Sequence, residues 1–446
     1  MPRGEGPGRQ LGFLGHVNLV FLTYAASAAL VFGVSVLLAR ALGPDGRGVY
    51  AVFLLSASIT QALLSLGLGV SAVYFLGKNA ASLPRLVANV QQVTIASAIV
   101  SGLLVLLAWP TIGDRLLDEG APYWVFAFAV PLFLSYNVLT AVLQGQSRFL
   151  AMNAVVLAQP LVLFCLLAAG MGAGDAGTRA ALLFWCAATA GATALALVLL
   201  GPAALRLREL VTFDLPSMRE QVQFGMKGQI GNVVQLLNYR LDQYIVLLFV
   251  SAAGVGVYAV SVTMSQSIWL LANAVAAVLA PRLTASAPSE AARVTPLVCR
   301  NTLLMSAVAA LGLGVVSPWL LPALFGGDFD AAVAPLLWLL PGTVALAGSK
   351  VLTSYVFSQG QVFTNSMITL ASLAVTLVAD FALIPAFGVT GAAIASSIAY
   401  GVHFALSLVA YRRLSGGSGW DAVMVRADDL RRLLDAARGR PAAVQP

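Results

Sequence analysis

Gly46-Arg47-Gly48-Val49-Tyr50-Ala51-Val52 returns 208 positions later as Gly254-Val255-Gly256-Val257-Tyr258-Ala259-Val260. A second echo, Gln144-Gly145-Gln146, returns after 215 positions as Gln359-Gly360-Gln361. Each copy lies between two long apolar runs, and the offset is nearly half of the 446 residues. The repeat reads as two similar bundles fused in one polypeptide. Parallel or inverted repeats of this kind are the usual skeleton of a secondary transporter, in which one half rocks against the other around a central site.

The composition names the solvent. Hydrophobic residues make up 59% of the chain and charged residues 10%, with mean hydropathy +0.89; a soluble domain carries roughly 25% charged residues. Twelve apolar runs, at about 16–39, 49–76, 86–109, 122–143, 152–171, 180–201, 226–249, 257–280, 300–321, 333–357, 363–385 and 389–411, are each long enough for the ~20-residue helix that crosses a bilayer. They are continuously apolar rather than alternating, and too long for the ~10-residue strands of a membrane barrel. The predicted fold is an all-α integral membrane protein of twelve transmembrane helices. The first run is too long for a signal-peptide core and lacks a cleavage pattern, so it reads as retained. Cys165, Cys186 and Cys299 lie in or at the start of such runs and read as small buried hydrophobes, with neither disulfide nor metal spacing.

With the N-terminus placed in the cytoplasm, nineteen Lys and Arg fall on the inner side: twelve from Arg3 to Arg300 and seven from Arg412 to Arg440. Four, Arg40, Arg47, Arg115 and Arg179, fall on the outer side. That asymmetry predicts both termini inside. The net charge of +7 is then a topology signal that favours anionic lipid headgroups as partners, not nucleic acid.

Residues 201–223 form the longest polar connection, with Pro202, Pro216 and mixed charges. The expected organisation is an N-lobe over 1–200, a cytoplasmic linker over 201–223, a C-lobe over 224–413 and a cytoplasmic tail over 414–446. In the tail, Val423, Leu430, Leu433 and Leu434 share a helical face within Trp420–Arg438. This predicts a short amphipathic segment on the inner leaflet, or else a docking helix for a partner enzyme.

Ionisable groups at mid-membrane cost about 2.5–3.5 kcal/mol on insertion scales and call for a compensating role. The first six runs hold none in their interiors; the last six hold Arg240, Asp242, Lys350 and Asp380. On the seventh helix Asn232, Tyr239 and Gln243 fall close together, flanked by Gln235 and Asp242 on one side and Arg240 on the other, a polar arc of roughly 160° that suits a wet cavity. Arg240 and Lys350 are the candidates for an anionic group, since a guanidinium fork matches phosphate. Asp242 is the candidate for sensing a cation or proton. The alternative is that these charges cross-link helices or bind backbone carbonyls. Asp380, about two turns from the outer end of its helix, reads most simply as a solvated or locally paired carboxylate. His403 reads as a neutral, hydrogen-bonded histidine. The first lobe offers uncharged groups, Ser58 and Gln61 on one face and Asn137 on the fourth helix, which line a cavity or bridge helices. Pro131, Pro160, Pro318, Pro322, Pro335 and Pro341 mark places where a helix kinks or gates.

No GxxxxGK[ST] loop is present to bind ATP, no HExxH or GxSxG motif stands at a membrane surface, and the loops are too short to carry a glycosyltransferase acid. An enzyme is not expected, nor any metal or organic cofactor.

Leu38-Ala39-Arg40-Ala41-Leu42-Gly43-Pro44-Asp45-Gly46-Arg47-Gly48-Val49-Tyr50 resembles the first-loop motif of the Wzx-like polysaccharide biosynthesis flippases. These belong to the MOP superfamily, which also holds multidrug MATE exporters and lipid II flippases. Asn238-Tyr239-Arg240-Leu241-Asp242 followed by Gly256-Val257-Tyr258 is similar to their seventh helix and following loop. Leu383-Ile384-Pro385-Ala386-Phe387-Gly388-Val389-Thr390-Gly391-Ala392-Ala393-Ile394-Ala395 resembles their late LIPxFGxxGAAIA segment. The resemblance implies two six-helix lobes forming a V around a cationic cavity. It further implies transfer of undecaprenyl-diphosphate-linked oligosaccharide from the inner to the outer leaflet of the bacterial cytoplasmic membrane, and coupling in several members to a proton or sodium gradient. Asp242 and Asp380 are then the ion-coupling candidates. Asp380 departs from the family, which more often has Asn before the LIP segment, and the lack of acidic residues in the first lobe argues against MATE members that couple there. The partners implied are the polyprenyl-diphosphate-linked glycan, membrane lipids, and a polysaccharide polymerase and glycosyltransferases. Two rivals remain: a MATE-type multidrug or metabolite antiporter, and a scaffold that organises polysaccharide enzymes.

Overall fold

The computed structural model describes residues 13–78, 80–116, 124–174, 177–202, 212, 214–417 and 419–424. Most of the expected linker (203–211 and 213) and the tail from 425 onward lie outside the described residues. Regular structure among the described residues is helical: α1 Phe13–Leu64, α2 Leu68–Gly77, α3 Leu83–Leu116, α4 Trp124–Gly145, α5 Phe149–Ala173, α6 Thr178–Leu200, α7 Leu215–Phe249, α8 Ala252–Gln266, α9 Trp269–Ala285, α10 Pro288–Phe325, a 3-10 turn Gly327–Ala332, α11 Val333–Ser358, α12 Val362–Ser415 and α13 Trp420–Val423. The chain is a multi-pass membrane protein. Eight of its described helices are long and apolar enough to cross a bilayer, nine when the bent pair α8–α9 counts as one span. α7 is not among them, in keeping with its polar arc.

Two helices are too long to be single spans. At 1.5 Å per residue the 54 residues of α12 would extend ~81 Å, against a hydrocarbon layer of ~30 Å. Glycines resolve this: Gly43 (φ 63, ψ −175) breaks α1 and Gly388 (φ 58, ψ −136) breaks α12, both at positive φ, where a side chain would clash. Pro44 then opens the second half of α1 at a position where its missing N–H costs nothing.

The chain divides into two compact units, Met1–Val233 and Val234–Pro446. In the first, Leu68, Ala72 and Leu76 of α2 pack with Leu86 and Val90 of α3, Leu134 and Val138 of α4, Val155 of α5, Ala192 and Ala196 of α6 and Met218 of α7. Alanines recur at these contacts because lipid offers helices no hydrophobic drive to associate, so close approach of backbones must supply the attraction. α3 turns Ile95, Ile99, Leu103, Leu106 and Leu107 outward, a stripe suited to lipid.

The start of α7 belongs to this first unit. Asp214 caps it, accepting from the Ser217 N–H at 3.1 Å, and pairs with Arg85 at 2.5 Å. Further on, α7 crosses the turn that separates α1 from α2, where Leu66 adopts φ 49 and Gly67 φ 75. Gly67 and Gly225 touch backbone to backbone, so that a Cβ on either would land inside the other. Gln229 donates to the Ala62 carbonyl at 2.8 Å, satisfying an acceptor at the turn, and Phe224 stacks on Tyr74 at 4.1 Å.

In the second unit, Leu279 and Leu283 of α9, Ala291 and Cys299 of α10, Val351 and Tyr355 of α11, Tyr411 of α12 and Ala422 of α13 form one cluster. Arg300 holds α13 by donating to the Asp421 carbonyl at 2.7 Å, so the first turn of the tail packs on the bundle. Ser397 of α12 inserts its hydroxyl into the backbone ladder of α11: it accepts from the Gly342 N–H at 3.3 Å and donates to the Trp338 carbonyl. Those two groups would otherwise bond each other next to Pro341.

Several expectations change. Arg47, assigned to an outer loop, lies within α1, 8% exposed, donating to Ser35 Oγ at 3.2 Å; the Gly43 kink shortens the loop so that the second helix begins before it. Cys299 is buried as expected, but Cys165 is exposed and Cys186 half-buried, since a thiol needs no protein shelter from lipid. Two interruptions inside apolar runs, at Ser65–Gly67 and at the 46° bend between α8 and α9, contain no proline.

Replacing Gly225 by Val should lower the thermal unfolding midpoint of the detergent-solubilised protein, at a cost of about 1–3 kcal/mol from overpacking. Gly231→Ala, which meets open space, should leave it unchanged; equal effects would remove the contact's importance.

Candidate functional site

Four helical segments of the second unit, from α7, α8 and the two halves of α12, converge on a ladder of polar groups. Asn238 and Asp242 stand four apart on α7, and Ser372, Thr376 and Asp380 four apart on the first half of α12, so each set shares one helix face. Asn238 accepts from Thr376 Oγ1 at 3.2 Å and donates to Ser372 Oγ at 3.5 Å, and Ser372 donates to the Ala399 carbonyl at 3.1 Å. Asp242 is 2% exposed. Its Oδ2 accepts from the Tyr258 hydroxyl at 2.5 Å and from Ser396 Oγ at 3.1 Å, and its Oδ1 from the Gln243 N–H at 2.8 Å.

Asp380 contrasts with this. It is fully buried, and neither carboxylate oxygen has a hydrogen-bond partner among the described residues. The expectation of a solvated or locally paired group is therefore corrected: the kink at Gly388 folds the second half of α12 back along the first and encloses it. It lies within electrostatic range of Asp242. Two buried carboxylates so placed form an acidic centre with one well-bonded and one unbonded member.

A second cluster carries the opposite charge. The Lys350 ammonium of α11 sits over the Trp269 ring at 5.3 Å and the Tyr239 ring at 5.9 Å. Tyr400 closes the group at 5.8 Å from Trp269 and 6.3 Å from Tyr239. Cation–π contact holds an ammonium without consuming its hydrogen-bonding capacity, and the Lys350 ammonium has no hydrogen-bond or ion-pair partner among the described residues. Donors nearby in sequence or contact are likewise buried without an acceptor among the described residues: Trp269 Nε1, Gln235 Nε2 and Gln243 Nε2. His403, within electrostatic range of Lys350, has a buried Nδ1 with no hydrogen-bond partner among the described residues. The arrangement can accept an anion.

Arg240 is half-buried and makes no ion pair with Asp242, as their opposed directions on α7 require. Of the other expected lining residues, Tyr239, Gln235 and Gln243 belong to the second unit. Asn232 is exposed in the first unit and bonded to Gln229 at 3.4 Å. Ser58 donates to its own helix at Leu54 O, 2.7 Å, and Asn137 to Phe133 O, 2.8 Å; Gln61 is half-buried. Reading the sequence for charges passed over Asn238, Tyr258, Trp269, Ser372, Thr376, Ser396 and Tyr400. The fourfold spacing of Ser372, Thr376 and Asp380 in an otherwise apolar helix was the available signal; Trp269 and Ser396 carried none.

The fold is that of the MOP superfamily. A lipid II flippase, MurJ, in an inward closed conformation superposes with TM-score 0.72 at 11% identity, covering 95% of this chain and 93% of its own. An inward-facing multidrug resistance MATE transporter follows with TM-score 0.70 at 11% identity, covering 89% and 98%. A MOP superfamily transporter from Pyrococcus furiosus, described as having a binding pocket of reversed polarity, gives 0.59 at 11% identity, covering 90% and 96%. At such identity the likeness is one of fold. These relatives are a flippase and transporters rather than enzymes. No curated protein matches the chain by sequence. Over residues 37–334, more than half of its length, the sequence matches the family described as polysaccharide biosynthesis protein, and the chain belongs to that family.

Tyr258→Phe should destabilise the folded protein by about 1.5–3 kcal/mol, the contribution of a hydrogen bond to a charged group. Asp380→Asn should do the reverse, raising the unfolding midpoint, because it removes an unbonded buried charge. Thermal melts in detergent read both, and a lower midpoint for Asp380→Asn would contradict the account of that carboxylate.

Proposed function

We propose that this protein flips an undecaprenyl-diphosphate-linked oligosaccharide, the repeat unit of a polysaccharide, from the inner to the outer leaflet of the bacterial cytoplasmic membrane. Twelve crossings, with both termini in the cytoplasm, carry it. The observation behind this reading is the Lys350 ammonium, held over Trp269 and Tyr239 with no ion-pair partner among the described residues. A diphosphate supplies that partner. Arg240 provides a second cation with a planar fork, and the amides of Gln235 and Gln243 meet sugar hydroxyls. The polyprenyl tail stays in lipid. Membership of the polysaccharide biosynthesis family and the fold shared with a lipid II flippase support the same substrate class.

Asp242 and Asp380 take up one proton or one sodium ion between them. Filling that acidic centre neutralises the unbonded carboxylate and favours one arrangement of α7 against α12; emptying it favours another. Alternating access needs such a difference in affinity between two states. A cationic drug, the cargo of an antiporter, would meet Lys350 on the aromatic rings it needs, which disfavours that rival.

The test is an impermeant outer-leaflet probe for lipid-linked sugar in cells depleted of the protein. Depletion should trap loaded carrier inside, wild type should restore it, and Lys350→Ala or Arg240→Ala at equal membrane abundance should restore less than a tenth, the ~1.4 kcal/mol or more that one charge-assisted contact supplies. A chain ending at residue 424 should restore most of it, whereas a scaffold acting through its tail would fail. Unchanged outer-leaflet carrier on depletion would end the flippase reading.

A further inference from the structure

Where the two halves of α12 come together at the end opposite Gly388, they leave a groove of about 340 Å³ lined by Thr364, Met367, Ile368 and Ala371 from the first half and Leu406, Val409, Ala410, Arg413 and Leu414 from the second. Ile368 and Ala410 form its floor with Val356 beneath, and exposed Met367 and Val409 form its rims. Ala371 and Ala410 are the smallest side chains of its lining.

Its chemistry is graded along its length. Between Ala371 and Thr364, and again between Leu406 and Arg413, the lining covers seven residues of helix, about 10 Å. That is the greater part of one leaflet's share of a ~30 Å hydrocarbon layer. Every lining side chain over that depth is apolar except Thr364, whose hydroxyl is turned to Gln361 at 3.4 Å. At the end lies one cation, Arg413, in the last turn of α12, exposed and with no ion pair among the described residues. Arg300, holding Asp421, and Arg412 mark the same end of the unit.

We propose that this groove binds an anionic phospholipid, one acyl chain against Ala371 and Ala410 and the phosphate on Arg413. An apolar slot with a single guanidinium at its mouth matches an acyl chain that ends in a phosphate. The two walls are the half-helices that carry Ser372, Thr376 and Asp380 on one side and Ser396, Tyr400 and His403 on the other, so a bound chain sets their spacing at the inner end. The inference stands on the groove and is independent of what the Lys350 cluster carries.

Native mass spectrometry of the full-length protein, released from micelles with equal phosphatidylglycerol and phosphatidylcholine, counts the lipids retained. Wild type should keep phosphatidylglycerol in preference. Arg413→Gln should cut that retention about fivefold, the effect of one arginine at an anionic surface, while exposed Arg282→Gln should not change it. Ala371→Phe, or Ala371→Met if the larger residue prevents folding, should remove the retained lipid of either kind. Equal retention of the two lipids by wild type, equal losses from Arg413→Gln and Arg282→Gln, or a dimer that Ala371→Phe dissolves would each overturn the proposal.

Discussion

An amide group in the middle of a bilayer has no water to bond to, and leaving it unpaired costs several kcal/mol. The rest of this structure follows from meeting that demand within the chain. Continuous helices meet it over most of the length. Where the chain turns or two helices approach, a side chain bonds to backbone groups of another segment: Gln229 to the Ala62 carbonyl, and Ser397 to Gly342 and Trp338. Each such bond ties two segments together, so polar atoms that satisfy backbone groups also specify the packing.

Charge is handled differently. Asp242 is given three donors, which fix its position. Asp380 has none among the described residues, and the Lys350 ammonium has only aromatic faces. Mid-membrane charges cost about 2.5–3.5 kcal/mol each even on the lenient scales. Asp380 and Lys350 both lie in the second unit, each without a hydrogen-bond partner among the described residues. The unbonded acid and the unbonded base lie in separate clusters, linked through α7 and α12, which contribute to both.

The internal repeat is one of backbone rather than of chemistry. Tyr50 and Tyr258 hold corresponding places in the two copies of the motif and both are buried. Tyr50 lies against the Arg47 guanidinium at 5.8 Å, whereas Tyr258 donates to Asp242. In the first unit the polar side chains Ser58 and Asn137 turn back onto their own helices. In the second unit Asn238 and Asp242 bond across helices, and both charged clusters are found there.

Much of this was legible in the sequence because it depends on local chemistry. Apolar runs of ~20 residues announce helices in lipid, and Gly43-Pro44 and Gly388 announce the reversals. Four charges inside apolar runs stand out at once: Arg240, Asp242, Lys350 and Asp380 need no fold to be noticed. What those charges touch was decided by tertiary structure alone. Asp380 looked solvated by its depth along a helix, yet the return of α12 buries it; Arg47 looked like a loop residue, yet the Gly43 kink draws it into a helix. Trp269 and Tyr400 lie 81 and 50 positions from Lys350 in apolar runs where aromatics are commonplace. Contacts between helices are set by crossing geometry and by which small residues let backbones approach, as Gly67 does with Gly225, and helical periodicity within one segment carries no record of its neighbour.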